Sequence, residues 1–242
     1  NGKDDIVVVT ESDDLILAIF DDGSFEILFD GNEKFKSSPS IAMVNNEPII
    51  FAGSDDGHFY AVNINGEVVF DFQTDDKIRT ASAFASTPNG LSIFTASYDG
   101  KLYALDSNGN LRDGWPVNTG ISIIIDPIIT DLDGDNLPEI ITGNTSGSLV
   151  AYHMDGSVVD GFPLQSGQGF SGSILSSDID NDGDIELTMG TNTALSIFDI
   201  KSSSASIEGW EMHRGNILRN GFYSVQSSSG DMNHDEIINI LD

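Results

Sequence analysis

Apolar side chains in this chain fall in short runs, some alternating with polar residues, and the runs are separated by clusters of Gly, Asn, Asp and Ser. One stretch shows the pattern four times: Ser40-Ile-Ala-Met-Val44, Pro48-Ile-Ile-Phe-Ala52, Phe59-Tyr-Ala-Val-Asn63 and Glu67-Val-Val-Phe-Asp-Phe72. A period of two puts successive side chains on opposite faces of an extended backbone, so each run predicts a strand and each polar cluster a turn. No stretch carries apolar residues at helical spacing. The expected fold class is all-β.

The runs belong to a repeat. Gly57-His-Phe-Tyr-Ala-Val-Asn-Ile-Asn-Gly66, Gly100-Lys-Leu-Tyr-Ala-Leu-Asp-Ser-Asn-Gly109 and Gly147-Ser-Leu-Val-Ala-Tyr-His-Met-Asp-Gly156 align without gaps, and Asp14-Leu-Ile-Leu-Ala-Ile-Phe-Asp-Asp-Gly23 falls in the same register. An aromatic follows each closing glycine, at Phe29, Phe72, Trp115 and Phe162, with Trp210 in a looser fifth copy, giving spacings of 43, 43, 47 and 48 residues. That aromatic is expected to fill the space between neighbouring units. Four short strands at this period predict a β-propeller of four-stranded blades, each buried against its neighbours.

The blades are expected at roughly 1–36, 37–79, 80–123, 124–170 and 171–212, so about five are visible. The first is incomplete. Asn1-Gly-Lys-Asp-Asp-Ile reads as the back half of a loop whose innermost strand lies upstream, which favours a longer natural protein. The alternative is that Phe222–Val225 supplies the missing strand and completes a five-bladed ring.

Two loops are dense in carboxylates. Asp131, Asp133, Asp135 and Glu139 stand at loop positions 1, 3, 5 and 9, with Leu137 offering its carbonyl at position 7. Asp178, Asp180, Asp182 and Glu186 repeat the spacing, with Asp184 at position 7. Alternate residues on a tight turn point their oxygens inward, and an all-oxygen set without His or Cys suits Ca²⁺ better than Mg²⁺ or a transition metal. Repulsion among the carboxylates is what a divalent ion would remove. About two structural Ca²⁺ ions are expected. The second and third units have Asn45-Asn-Glu-Pro48 and Thr87-Pro-Asn-Gly90 instead, so the metal braces some blades and is not required by the fold.

The run Gly100-Lys-Leu-Tyr-Ala-Leu-Asp106, with Gly109 and Trp115, resembles the PQQ-like propeller repeat, and Asp131-Leu-Asp-Gly-Asp-Asn-Leu-Pro-Glu-Ile-Ile141 resembles the FG-GAP/VCBS calcium-loop repeat of secreted and cell-surface propellers. The resemblance covers residues 1–212 and implies an extracellular, calcium-binding module of a multidomain bacterial protein. What matches is the structural repeat, so no quinone pocket follows. Residues 213–229 read as a closing segment and Ser-rich linker, in which Arg214 and Arg219 are expected to clasp the acidic rim. Residues 230–242 resemble a truncated dockerin repeat, which implies weaker metal ligands at Asp231, Asn233, Asp235, Ile237, Asn239 and Asp242. Glu236 departs from the Gly that such a turn prefers.

Charge narrows the partners. The 242 residues hold 39 Asp and Glu against 10 Lys and Arg, a formal net charge of −29. Such a surface gains nothing from counterion release on a polyanion, so nucleic acid is not an expected partner, and neither is insertion into a membrane. With no Cys there is no thiol nucleophile, disulfide or Cys-ligated metal. No catalytic residue is identified. The four His (His58, His153, His213, His234) fall in no nucleophile or acid–base motif, and the expected innermost strands carry no acid. The primary expectation is a non-catalytic binding or spacer module for a protein or glycan, with Tyr98 and Phe170 as possible ligand-rim residues. The alternative is an extracellular polymer-degrading hydrolase or lyase, or its accessory domain.

Overall fold

A computed structural model describes residues 5–201, 210, 212–215 and 220–224. These residues form five sheets in chain order, and no helix occurs among them. The first holds β1 (Ile6–Val9), β2 (Leu15–Ile19) and β3 (Phe25–Asp30). The second holds β4 (Ser40–Val44), β5 (Glu47–Gly53), β6 (His58–Asn63) and β7 (Val68–Gln73). The third is β8 (Ala83–Thr87), β9 (Gly90–Ala96), β10 (Lys101–Leu105) and β11 (Val117–Asn118), and the fourth β12 (Ile128–Thr130), β13 (Glu139–Gly143), β14 (Ser148–Tyr152) and β15 (Leu164–Gln165). β16 (Phe170–Ser177), β17 (Ile185–Thr191) and β18 (Leu195–Ile200) make the fifth.

Each middle sheet is buried on both faces, and the period of two explains how. Ile50 and Ala52 of β5 pack toward the first sheet with Ile16, Ala18 and Tyr60, whereas Ile49 and Phe51 of the same strand pack toward the third with Phe84 and Phe94. In β13, Ile140 joins the core shared with the third sheet while Ile141 joins Leu187 and Met189 of the fifth. The recurring aromatics join consecutive sheets: Phe29 lies 4.9 Å from Tyr60, Phe72 5.4 Å from Tyr103 and Trp115 6.2 Å from Tyr152. Ring pairs of this kind are worth about 0.5–1.5 kcal/mol beyond their buried area.

The repeat glycines are placed by backbone geometry. Gly57, Gly100 and Gly147 occupy the turn before the third strand at φ of 85°, 85° and 83°. A Cβ on Gly147 would lie 1.9 Å from the Gln168 carbonyl oxygen, which no side chain tolerates. In the first unit Asp14 takes that place at φ 59°, a conformation that Asp enters more readily than most residues.

Past the fifth sheet the chain crosses the innermost strands. The Trp210 carbonyl accepts the Ile129 amide at 2.8 Å, Met212 bridges to Leu175, and the Gly221 carbonyl accepts the Ile41 amide at 2.6 Å. The last strand, β19 (Phe222–Tyr223), then runs parallel to β4. Trp210 meets Phe84 of β8 edge-on at 5.2 Å, and Tyr223 stacks on the same ring at 5.8 Å. This corrects one expectation: Phe222–Tyr223 adds a fifth strand to the second sheet and does not complete the first.

Candidate metal centres

The first carboxylate loop joins β12 to β13 and is shaped by its own side chains. Asp131 is fully buried and accepts the amides of Gly134 (2.8 Å) and Asn136 (3.1 Å). Asp133 accepts from Asp135, and Asp135 accepts the Leu137 amide at 2.7 Å. Positive φ at Gly134 and Asn136 lets the turn close this tightly. Glu139, also fully buried, opens β13 and accepts the Leu132 amide at 2.8 Å. The loop brings Asp131, Asp133 and Asp135 into one group whose ligand atoms lie within 4.8 Å of each other, and Asp133, Glu139 and His153 into a second.

His153 is the residue that the sequence reading missed. It follows β14, and the β13–β14 register, with Ile140 opposite Tyr152, sets it across from Glu139. Its Nδ1 lies 3.2 Å from the Glu139 carboxylate. The signal was cross-strand register, which motif spacing within one loop does not contain.

The second loop joins β16 to β17. Asp178 accepts the Gly183 amide at 3.2 Å, and Glu186 accepts the Ile179 amide at 2.6 Å. Asp178, Asp180 and Glu186 form the third group within 4.8 Å. Asp182 and Asp184 turn instead to Lys201, at 3.4 and 3.7 Å. The Asp184 amide and Lys201 hold the Asp182 carboxyl below the usual range. Glu186 is buried, and its second oxygen, Oε1, has no hydrogen-bond donor. A buried carboxylate oxygen without a partner is costly, and a cation among these three carboxylates would satisfy it.

Burial raises the Glu139 carboxyl from its ordinary 4.5 to about 6, partly offset by the Leu132 amide and His153. A raised pKa makes the group's contribution to metal-free stability complete below pH 4.5 and lost as pH climbs through 6. The loss amounts to about 2 kcal/mol. We therefore expect the stability difference between wild type and Glu139→Gln in EDTA, from urea melts, to fall by that amount between pH 4.5 and 7. A flat difference would contradict it.

Other sequence-named residues are placed as follows. Leu137 exposes its side chain at the loop tip. Phe170 does not line a rim: it is 3% exposed, in the core of the fourth and fifth sheets. Tyr98 is half-buried, with Lys77 at 4.6 Å and Arg79 at 5.6 Å from its ring. His58 is paired with Asp71 at 2.5 Å. Arg214 reaches the carbonyls of Pro39 and Asn220, so among the described residues its clasp is to backbone and not to acidic side chains. His213 contacts Asp126, whose other oxygen accepts the Ala81 amide at 2.7 Å. Asn1, Lys3, Arg219, His234 and the ligands expected at Asp231, Asn233, Asp235, Ile237, Asn239 and Asp242 lie outside the described residues.

No family model matches the chain, and no curated protein does. Solved structures do. BBS1N, solved in complex with ARL6DN, is similar at 12% identity and a TM-score of 0.58, over 86% of this chain and 62% of that one. The WD40 β-propeller domain of Doa1 is similar at 11% identity and 0.57, over 86% and 64%. BamB from Moraxella catarrhalis is similar at 14% and 0.55, over 87% and 67%. The chain spans only 57% of the computationally designed Ika8 protein, to which it is similar at 13% identity and 0.58. At such identities the likeness speaks for fold alone: the chain is a β-propeller.

Proposed function

We propose that the protein is a non-catalytic, calcium-stabilised propeller acting outside cells as a binding or spacer module of a larger secreted or surface protein, with a protein or glycan as its partner. The observation that carries the calcium reading is the buried, partnerless Oε1 of Glu186 beside Asp178 and Asp180. An all-oxygen set matches Ca²⁺, which is abundant outside cells. The sheets without the loop support a bracing role. β4 and β5 are joined through Asn45 and Asn46 at φ 52° and 68°, a tight hairpin that holds its own geometry. The fourth and fifth sheets replace that hairpin with longer acidic loops that need a counter-charge.

The non-catalytic reading is supported by what covers the innermost strands. Channel-lining strands are where a propeller would present acid and base, and here Trp210, Met212 and Phe222–Tyr223 pack against them. The folded chain is expected to bind two Ca²⁺ in calorimetric titration, with Asp131→Asn and Asp178→Asn each removing one. Absence of binding at about millimolar calcium would overturn the metal reading.

A further inference from the structure

The third and fourth sheets are both complete, with four strands each. Between them, beside the β8–β9 hairpin and the first acidic loop, lies a cavity of about 400 Å³. Phe94 of β9 and Ala104 of β10 line it from the third sheet, and Met154, Leu137 and Pro138 line it from the fourth. Leu137 is 61% exposed, and the metal reading of its loop uses only its carbonyl, so that reading gives its side chain no role.

Arg112, also in the lining, departs from the repeat. Counted from the closing glycines Gly66, Gly109 and Gly156, its place is held by Val69 in the second unit and Val159 in the fourth, so the fold does not require a cation there. Its Nη1 and Nη2 donate to the carbonyls of Asn89 and Leu91, at 3.1 and 2.6 Å, while its Nε is buried without an acceptor. Two carbonyls thus fix a planar cation in the cavity wall, and a guanidinium plane stacks well on an aromatic ring. The lining also includes two exposed carboxylates, Asp113 and Asp155. On a chain of net charge −29 they oppose an anionic ligand and favour a basic one.

We propose that this cavity takes an aromatic side chain of a partner protein, presented between basic residues. The ring would pack on Phe94, Ala104 and Met154 beside the Arg112 guanidinium, with Leu137 covering it, and flanking Lys or Arg would reach Asp113 and Asp155. A volume of about 400 Å³ lies within the range of sites that enclose small ligands, which is room for one ring and the backbone next to it. Aromatic anchors in such pockets carry much of an interface's energy, and charges at the rim set the rate and the choice of partner. The proposal rests on the reading of the chain as a binding module and names the chemistry of its partner. It does not depend on the calcium reading.

The test uses the whole chain and the peptide acetyl-Lys-Lys-Phe-Lys-Lys-amide, its ring para-fluorinated and followed by fluorine NMR. The ring signal should shift saturably with a Kd below about 1 mM. A Glu-flanked peptide, or the Ser86→Trp chain, whose new indole fills the cavity from an exposed lining position, should bind at least about tenfold more weakly. Arg112→Val, which restores the residue of the neighbouring units, should also weaken binding. No saturable shift up to about 1 mM would overturn the proposal, as would undiminished binding by Ser86→Trp. Equal competition by the peptide with Ala in place of Phe would overturn it by showing attraction through charge alone. Binding of para-fluorophenylalanine amide as tight as that of the peptide would replace the protein partner with a small aromatic ligand. Calcium titration of the same sample reads the metal sites separately, so failure of one reading leaves the other standing.

Discussion

Trp210→Ala is expected to destabilise the protein by about 3–5 kcal/mol, the usual cost of emptying a buried indole site. Trp210 is 2% exposed, edge-on to Phe84 at 5.2 Å and 6.2 Å from Tyr223. Gly215 lies so close beneath it that a Cβ there would be 2.5 Å from the ring, so the surrounding chain is fitted to the indole. The side chain anchors the segment that touches Ile129, Leu175, Phe84 and Ile41, one innermost strand from each of four sheets. Its loss is therefore expected to loosen the centre and not one blade alone. Urea melts followed through the remaining Trp115 measure the effect. A loss under about 1 kcal/mol, as at an exposed site, would show that the crossing segment contributes little to the fold.

The same segment marks where sequence reading fails. Strand positions in the second sheet were legible to within a residue, because alternation and turn residues are local: Ser40–Val44 is β4, and Phe59–Asn63 is β6 less one residue. The pairing of Phe222–Tyr223 with β4 is set by contacts about 180 residues apart and by only two residues of ladder, which no pattern in the chain announces. Phe170 was misread for a related reason. It follows a Gly-rich turn, as a rim residue would, but Gly143 in the neighbouring sheet lacks a Cβ and so leaves a slot, 2.8 Å from that missing atom, for its ring. In the two acidic loops the carboxylate spacing was readable, while His153 opposite Glu139 and the diversion of Asp182 and Asp184 to Lys201 depend on strand register and a cation that follows β18.

Calcium is expected to have an effect as large as that of Trp210. A ligand bound only by the folded state stabilises it by about 2.7 kcal/mol when present at a hundred times its Kd. Two such sites, at Asp131–Glu139 and Asp178–Glu186, would together contribute about 5 kcal/mol. Both loops lead into second strands, β13 and β17, that carry Ile141, Leu187 and Met189 into one shared core, so their ordering is transmitted to the packing of the last two sheets. Part of the gain comes from relieving what the metal-free loops cost, namely mutual repulsion and the partnerless oxygen of Glu186.

The most direct measurement is a thermal melt of the intact chain in excess EDTA and again in about millimolar CaCl₂, with MgCl₂ at the same concentration as a third condition. For a domain of this size the account predicts a rise in Tm of about 10–20 °C with calcium and a much smaller one with magnesium. Coincident melting curves in EDTA and calcium would contradict it, and would leave the two acidic loops as solvated turns on a propeller that needs no metal.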